Sequence, residues 1–561
     1  MPFGFRIETL SFKNGTAPLN VRDSDVVVFI GPNNSGKSQA LRDIEQIVEH
    51  GLAGLVVQDL VSRRESTAEE VIAWLRATAT IRVEGGSEWA VSSNGIAVRL
   101  DQVEFLWSRA DSCVSLAPHL ILRADAETRL QLAASVPSVD AVAGEAVLPL
   151  QRLLKAHAAE KDLAEAVRHA FGVGVCVNRA GGSELSLHLG ETTEEPRLDN
   201  DRYLDELKAL PLVATQGDGM RSFIGLMLTL SATAYPVVLI DEPEAFLHPP
   251  QARELGYQLA AESDQQRFIA THSADVLIGL LDRARSLTVV RLRRSANTTI
   301  ASVLDHDRIQ ALWSDASLRY SNLLDGLFHA GVVICESEGD ARLYAATLDD
   351  LHSSGGEPVP DVLFTPCGGK HKMPVAIGAL HPLGVPVSAI ADIDVLRDVG
   401  LLQRIVISLG GDWARVESDV RIVGSAIADM PVQAPTVRDV HDQIQQTLGD
   451  DPVARLSEAQ TREIREITKT TDGWKLLKTN GGVQAVPPGQ PAAAAERLIA
   501  ELAAIGLFVV PVGTLEQWER AIGKRGLSFV DVALEARAHE QNQALRAFVT
   551  DVEIGTLREA S

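Results

Sequence analysis

The chain has 561 residues, enough for two or more domains, and a composition of 45% hydrophobic and 23% charged residues that can bury full cores. A formal net charge of −23 excludes a general nucleic-acid sponge, since phosphate neutralisation needs clustered Lys and Arg; contact with DNA would need local basic patches or bound cations. The four cysteines, Cys113, Cys176, Cys335 and Cys367, form no CxxC pair, and the start, MPFGFRIETLSFKNG, has no basic-then-apolar leader pattern, so the expected setting is a reduced cytoplasm.

In chain order, the first predicted strand is VVVFI, Val26 to Ile30, followed by GPNNSGKS and a helical pattern through QALRDIEQIVEHGL. Residues 80 to 125 read as strand-rich, and residues 144 to 170 have the Leu, Ala and Val spacing of a helix. Strands resume at VGVCVNR and ELSLHL. The stretch from Ser222 to Ile240 is long and apolar enough to resemble a membrane span. Pro236 interrupts it and Asp-Glu follows, so it reads as a buried helix and then a buried strand, with no membrane partner. A helix through PPQARELGYQLAAES, a strand at RFIATHS and a hairpin of LTVVRL with TIASVL close this half.

A helical connector is expected over 307–329. A second alternation follows: strand 331–335, helix 339–349, strand 361–366, helix 371–380 and strand 386–391. Such alternation argues for a second parallel α/β sheet. Residues 415 to 500 read as mostly helical and polar, with a Pro/Ala-rich break, before a last strand, LFVVPV, and GTLEQWE.

Two motif sets carry chemistry. GPNNSGKS, Gly31 to Ser38, is GxxxxGK[ST] between a strand and a helix, the context that lets loop N–H groups and a helix N-terminus hold phosphate. Gly31, Asn33, Asn34, Ser35 and Gly36 form the loop, Lys37 faces the β and γ phosphates of ATP, and Ser38 binds Mg2+. In VVLIDEPEAFLHP, four apolar residues end in Asp241, which supports the magnesium, and Glu242, which polarises the attacking water. His272, at the end of the strand in FIATHSADVL, is a candidate γ-phosphate sensor.

The second set is acidic. Glu336 and Asp340 span a strand-to-helix turn in CESEGD, and Asp392 and Asp394 flank Ile393 after VSAI. Alternate residues on an extended segment face one side, and strand C-termini of parallel sheets build sites. If the two strands are neighbours, four carboxylates converge. Such a cluster repels itself unless it binds cations, and oxygen ligands select Mg2+ or Mn2+.

The first set resembles the ABC-type ATPases, in the branch that includes RecF-like and OLD-type proteins. The resemblance covers roughly residues 1 to 306. It implies a signature segment that closes the site of another protomer; the candidate is TQGDGMRS, with Gly217, Asp218 and Gly219, which departs from the common Ser-Gly-Gly form. The second set resembles the TOPRIM domain of topoisomerases, primases and OLD nucleases, over about 330 to 561 with a helical insertion at 415–500. OLD proteins typically have Val-Glu-Gly-Glu-Ser-Asp, and here Ser337 replaces the glycine. FTPCGGKHKM resembles the segment that follows in OLD proteins. GTLEQWE resembles their Gly-x-Leu-Glu, which makes Glu516 a further metal ligand. Lys370, Lys372, Lys475, Lys478, Lys524 and Arg525 are local cations, with Lys524 chosen as the one that stabilises transition-state charge.

Taken together, the resemblances imply an α/β chain of the OLD family: an ABC-type P-loop ATPase domain followed by a TOPRIM domain, acting as a metal-dependent DNA endonuclease like those of Gabija and retron-associated systems. They imply a role in anti-phage defence, with a partner protein or nucleic acid of that system. One ATPase head per chain implies a homodimer or higher homo-oligomer, with the 144–170 helix as a candidate contact. An ATP-gated DNA clamp or repair scaffold with an inactive TOPRIM site, and an RNA-cleaving nuclease, stay open as alternatives.

Overall fold

The computed structural model describes residues 4–558, apart from 15–16, 23–25, 93–94, 110–112, 140–145, 147, 155, 195–196, 198, 233–234, 296–297, 305–308, 311–312, 314–322, 356–357, 432–435, 449–455 and 468–471. The chain divides into two compact units, Met1–Arg319 and Tyr320–Ser561. Most of the expected connector at 307–329 lies outside the described residues; its end is a 3-10 turn, Leu324–Phe328.

The first unit is built on a six-stranded sheet. Its elements are β1 (Phe5–Phe12), β2 (Val26–Ile30), α1 (Lys37–His50), β3 (Ile121–Ala124), α2 (Ala126–Leu132), α3 (His157–Phe171), α4 (Asp218–Ala232), β4 (Val237–Asp241), α5 (Pro249–Leu259), β5 (Gln266–Ala270), β6 (Leu287–Ser295) and β7 (Thr298–Leu304). The strand order is β7–β6–β2–β5–β4–β3. All neighbours run parallel except the β6–β7 hairpin. All five residues of β2 are buried, as expected of a strand covered on both faces. Val27 and Phe29 join a core with Leu41 and Ile44 of α1 and with Phe5, Ile7 and Leu10 of β1. β1 lies outside the six-stranded sheet and pairs antiparallel with Val57–Arg64. The alternation in FRIETLSF signals that strand, which the sequence reading passed over.

The apolar stretch 222–240 divides as expected. Eight consecutive residues of α4, Ser222–Thr229, are buried, and β4 follows. Among the described residues no helix is long and apolar enough to cross a membrane. The 144–170 segment is not one helix: Pro149–Leu153 and α3 are separate. α3 buries Leu163, Ala166 and Val167 and packs on α4 and α5 of its own unit. Its apolar spacing is therefore used internally, and the spacing gives no reason to place an oligomer contact there.

The second unit carries a four-stranded parallel sheet of β8 (Gly331–Cys335), β9 (Val362–Pro366), β10 (Val387–Ala391) and β11 (Leu507–Val509), in the order β9–β8–β10–β11. α6 (Glu338–Gly355) follows β8. Between β10 and β11 lies a helical insertion that includes α7 (Trp413–Ala428), α8 (Gly473–Asn480) and α9 (Gln490–Ala504), with α7 packed on α9. One core of this unit joins Val333, Tyr344, Ile390, Phe508, Trp518, Phe529 and Phe548.

Candidate functional site

The turn after β2 holds the first cluster. Gly31 has φ +138, and a Cβ there would lie 2.1 Å from the Leu292 carbonyl oxygen of β6. Only glycine fits that close approach. Asn34 and Gly36 also take positive φ, 66° and 99°, and Gly36 caps α1. Lys37 is buried, and its ammonium donates to the Gly31 and Pro32 carbonyls at 2.9 and 2.8 Å. Ser38 Oγ donates to Asp241 Oδ1 at 2.8 Å, joining the loop to the end of β4. Burial pushes the Asp241 carboxyl up, with the Ser38 hydrogen bond opposing. A cleft of about 500 Å³ is lined by Asn33 to Ser38, by Glu242, and by Lys13, Arg294 and Thr299 from three further segments.

β5 lies between β2 and β4, so His272 emerges beside both ends. Its Nδ1 is 3.7 Å from Glu242 Oε1 and 3.0 Å from Glu244 Oε1. Glu244 is buried, and its Oε1 also accepts the His272 N–H at 2.9 Å. Glu242 has φ 45 and its N–H donates to the Ala270 carbonyl at 2.8 Å. Gly217 and Gly219 are not among the residues lining the cleft. Gly219 instead backs onto the loop after β4, where a Cβ would lie 2.4 Å from the Phe246 carbonyl oxygen.

The second cluster sits where β8 and β10 end side by side. Carboxylate oxygens of Glu336, Asp392 and Asp394 lie within 4.8 Å of one another. Two ammonium groups join them. Lys370 Nζ is 2.8 Å from Asp394 Oδ1, and Lys478 Nζ is 3.2 Å from Asp392 Oδ2 and 2.9 Å from Asp394 Oδ2. Burial, then the neighbouring Glu336, pushes the Asp392 carboxyl up to about 8, with Lys478 opposing. Burial also raises Glu336. For Asp394 burial is outweighed by the Lys370 and Lys478 hydrogen bonds, and its carboxyl falls below the usual range. A partly buried set of three carboxylates is the donor chemistry of a hard divalent cation.

The fourth expected ligand, Asp340, is buried beside this group but engaged elsewhere. Its Oδ2 accepts the Ser337 N–H at 3.0 Å and the Ser337 hydroxyl at 2.6 Å, and its own N–H donates to Ser337 Oγ at 3.4 Å. This is the reciprocal box of a capped helix start, with Ser337 as the cap and Asp340 three residues on. Ser337 has no positive φ, so the turn does not need glycine there. Glu516 accepts Thr514 Oγ1 and the Gly526 N–H, both at 3.0 Å. Burial acts to raise it, yet these bonds hold its carboxyl low. Its charge also reaches Asp340.

Residues 185–279 match the family model described as "AAA domain, putative AbiEii toxin, Type IV TA system". That span holds Gly217, Asp241, Glu242 and His272. The chain carries a P-loop ATPase domain. No curated protein matches the sequence. Solved structures similar to the chain include the Smc head bound to the C-winged helix domain of ScpA, at 13% identity over 55% of this chain and 100% of that one, with a TM-score of 0.33. The SMC head domain from Thermotoga maritima matches at 13% identity over 54% and 100%, TM-score 0.29. A Smc head with an extended coiled coil derived from Pyrococcus furiosus matches at 11% over 55% and 99%, TM-score 0.31.

Two features of these sites escaped the sequence. Lys524 is exposed, and the cations that touch the carboxylates are Lys370 and Lys478. Lys370 and Lys478 are both among the local cations of the sequence, but no local pattern singles out Lys478, which rides on α8 of the helical insertion. Arg129 of α2 is the other. It is fully buried and donates to the carbonyls of Asp241 and Glu242 at 2.7 and 2.8 Å. A lone arginine in ILRADAETRL gives no signal of that reach.

Proposed function

We propose that this protein is an ATP-hydrolysing, metal-dependent DNA endonuclease of the OLD type, with its second unit a TOPRIM domain, working as a homodimer or higher homo-oligomer in anti-phage defence. The observation that carries the reading is the convergence of Glu336, Asp392 and Asp394 within 4.8 Å at the ends of neighbouring parallel strands. The description of the family matched at residues 185–279 includes "putative AbiEii toxin, Type IV TA system", which accords with an effector role.

In the first unit, Lys37 and the loop N–H groups from Asn33 to Ser38 would hold the ATP phosphates, while Ser38 and Asp241 would hold Mg2+. Glu242 takes the proton of the attacking water, and His272, oriented by Glu244, faces the γ-phosphate. In the second unit, Glu336, Asp392 and Asp394 would hold Mg2+ or Mn2+, with Asp340 and Glu516 beside them. A divalent cation there supplies Lewis acidity to a phosphodiester and a more acidic water. Lys370 and Lys478 bring positive charge to the same edge and can donate to phosphate oxygens.

Plasmid nicking in Mg2+ or Mn2+ tests the reading, with chelator and Asp392→Ala as controls and RNA supplied alongside DNA. Metal-dependent cutting lost in Asp392→Ala supports it; preference for RNA changes the substrate alone. One observation favours the second reading, an ATP-gated clamp. Lys370 and Lys478 already pair with Asp392 and Asp394, offsetting the charge that a metal would balance. A site that takes up no Mn2+ would support the clamp.

A further inference from the structure

We propose that Arg129 is a positioning residue for ATP hydrolysis: its guanidinium fixes the backbone of the Asp241–Glu242 turn and ties that turn to α4. The proposal rests on the reading of Glu242 as the residue that activates water.

All three guanidinium nitrogens donate, through four of the five N–H groups. Nε donates to Ser222 Oγ at 2.9 Å, Nη1 to the carbonyls of Ala124 and Asp241 at 2.9 and 2.7 Å, and Nη2 to the carbonyl of Glu242 at 2.8 Å. Two successive carbonyls, of Asp241 and Glu242, thus meet one planar fork. Strand geometry sends successive carbonyls to opposite sides, so the chain must leave β4 sharply here. It does so through the left-handed φ of 45° at Glu242, a region that a residue with a side chain rarely adopts. Such a conformation persists only where the surroundings fix it. Arg129 and the Glu242 N–H bond to Ala270 do so.

The same arginine reaches α4. Ser222 lies one turn after Gly219, and a Cβ on Gly225 would sit 2.1 Å from the Arg129 carbonyl oxygen. α2 and α4 are therefore in backbone contact. The first turn of α4 abuts the Phe246 carbonyl through Gly219, and the second holds Arg129 through Ser222. A shift of α4 consequently reaches the Glu242 turn by two routes. Phosphate contacts come from the loop and from Lys37, which Arg129 does not touch; it meets Asp241 only at the main-chain carbonyl, and the Asp241 carboxylate is held separately by Ser38. The expected signature is a change in turnover without a change in nucleotide affinity.

The test uses the full chain with Arg129→Lys, which keeps charge and stem but loses the fork. ATP hydrolysis is followed over a range of ATP concentrations, a fluorescent ATP analogue reports affinity, and melting reports folding. The expected result is a fall in kcat of about 100-fold, since small misplacements of catalytic groups cost that much, with KM and analogue affinity nearly unchanged. An unchanged kcat, or an affinity lost in proportion, overturns the proposal. Should Arg129→Lys fail to fold, Ser222→Ala keeps the guanidinium and removes one anchor. It should then lower kcat about 10-fold at constant KM, and an unchanged kcat is equally fatal. Lys37→Ala separates the two levels. If wild-type hydrolysis does not depend on Lys37, the nucleotide reading falls and the proposal with it. If it does, and the Arg129 and Ser222 variants match wild type, this proposal alone falls.

Discussion

The Asp392 backbone N–H donates to Glu336 Oε1 at 3.0 Å. This bond crosses from β10 to β8 and clamps one candidate ligand residue to another. It leaves the Asp392 carboxylate free to face Lys478, and it fixes the Glu336 carboxylate, on which the Lys370 charge also acts.

Asp392→Ala should abolish metal-dependent cleavage and leave ATP hydrolysis near wild type. The residue belongs to the second unit, and the nucleotide contacts lie in the first. Losing one preorganised stabiliser of charge typically costs about 100-fold or more in rate, and a lost cation should cost at least as much. Nicking and phosphate-release assays on one preparation check both halves. Full cleavage by both Asp392→Ala and Glu336→Ala would end the nuclease reading.

Glu242→Gln and Lys37→Ala should separate ATP binding from hydrolysis. The amide keeps the turn but cannot take a proton, so the first variant should bind ATP and turn it over at least about 100-fold more slowly. Lys37→Ala removes the buried charge of the loop and should weaken binding itself. Equilibrium binding of a labelled nucleotide, paired with phosphate release, distinguishes them. Wild-type hydrolysis in both would mean that the nucleotide site is misread.

Why was so much of this legible, and where did it stop? β2, β4 and β8 are apolar runs and β10 is interrupted only by Ser388; each run gives way to Gly or acid, and each falls where the pattern put it. Buried parallel strands have to read that way. Asp392 and Asp394 do lie together, but not by strand alternation: the strand ends at Ala391, Asp392 caps a 3-10 turn and Asp394 lies inside it. Long-range partners were not legible. Arg129 meets Asp241 across 112 residues, and Lys478 meets Asp394 across 84; neither contact has a periodicity to read. Asp340 shows the remaining limit. Its spacing from Glu336 suited a ligand, and in the structure one of its oxygens, Oδ2, is bonded to Ser337 in a local helix cap that spacing alone does not reveal.

Metal-free protein should lose stability as pH rises from about 5 to 8. The Asp392 carboxyl is raised from an ordinary value of 3.8 to about 8, so between those limits the folded state holds a proton that the unfolded state has released. Stability therefore falls with pH across that window and levels above it. Glu336, also raised, acts in the same direction. Asp394, held low, titrates below the window. Melting temperatures in chelator at half-unit pH steps check this. The slope should be shallower in Asp392→Asn, and an identical slope would show that Asp392 is not the group responsible.

Removing Lys478 should strengthen cation binding at the carboxylates while slowing any cleavage they support. The ammonium sits 3.2 and 2.9 Å from Asp392 and Asp394, and these two charges hold its proton well above the usual lysine value despite burial. It is therefore a fixed positive charge in direct competition with a divalent cation for the same oxygens. At an effective dielectric of about 20, a unit charge a few ångströms away is worth a few kcal/mol before solvent screening. Lys478 is more than a third exposed, so the surviving effect should be nearer a 10-fold gain in Mn2+ affinity. Calorimetric titration of Lys478→Ala against wild type reads that gain directly. Lys478→Arg keeps the charge and should bind Mn2+ much as wild type does, which separates charge from packing on α8. Tighter Mn2+ together with slower nicking would mean that the insertion supplies a working cation to the site. Weaker Mn2+ in Lys478→Ala would mean instead that the lysine holds Asp392 and Asp394 in place, and that the carboxylates do not form a cation site without it.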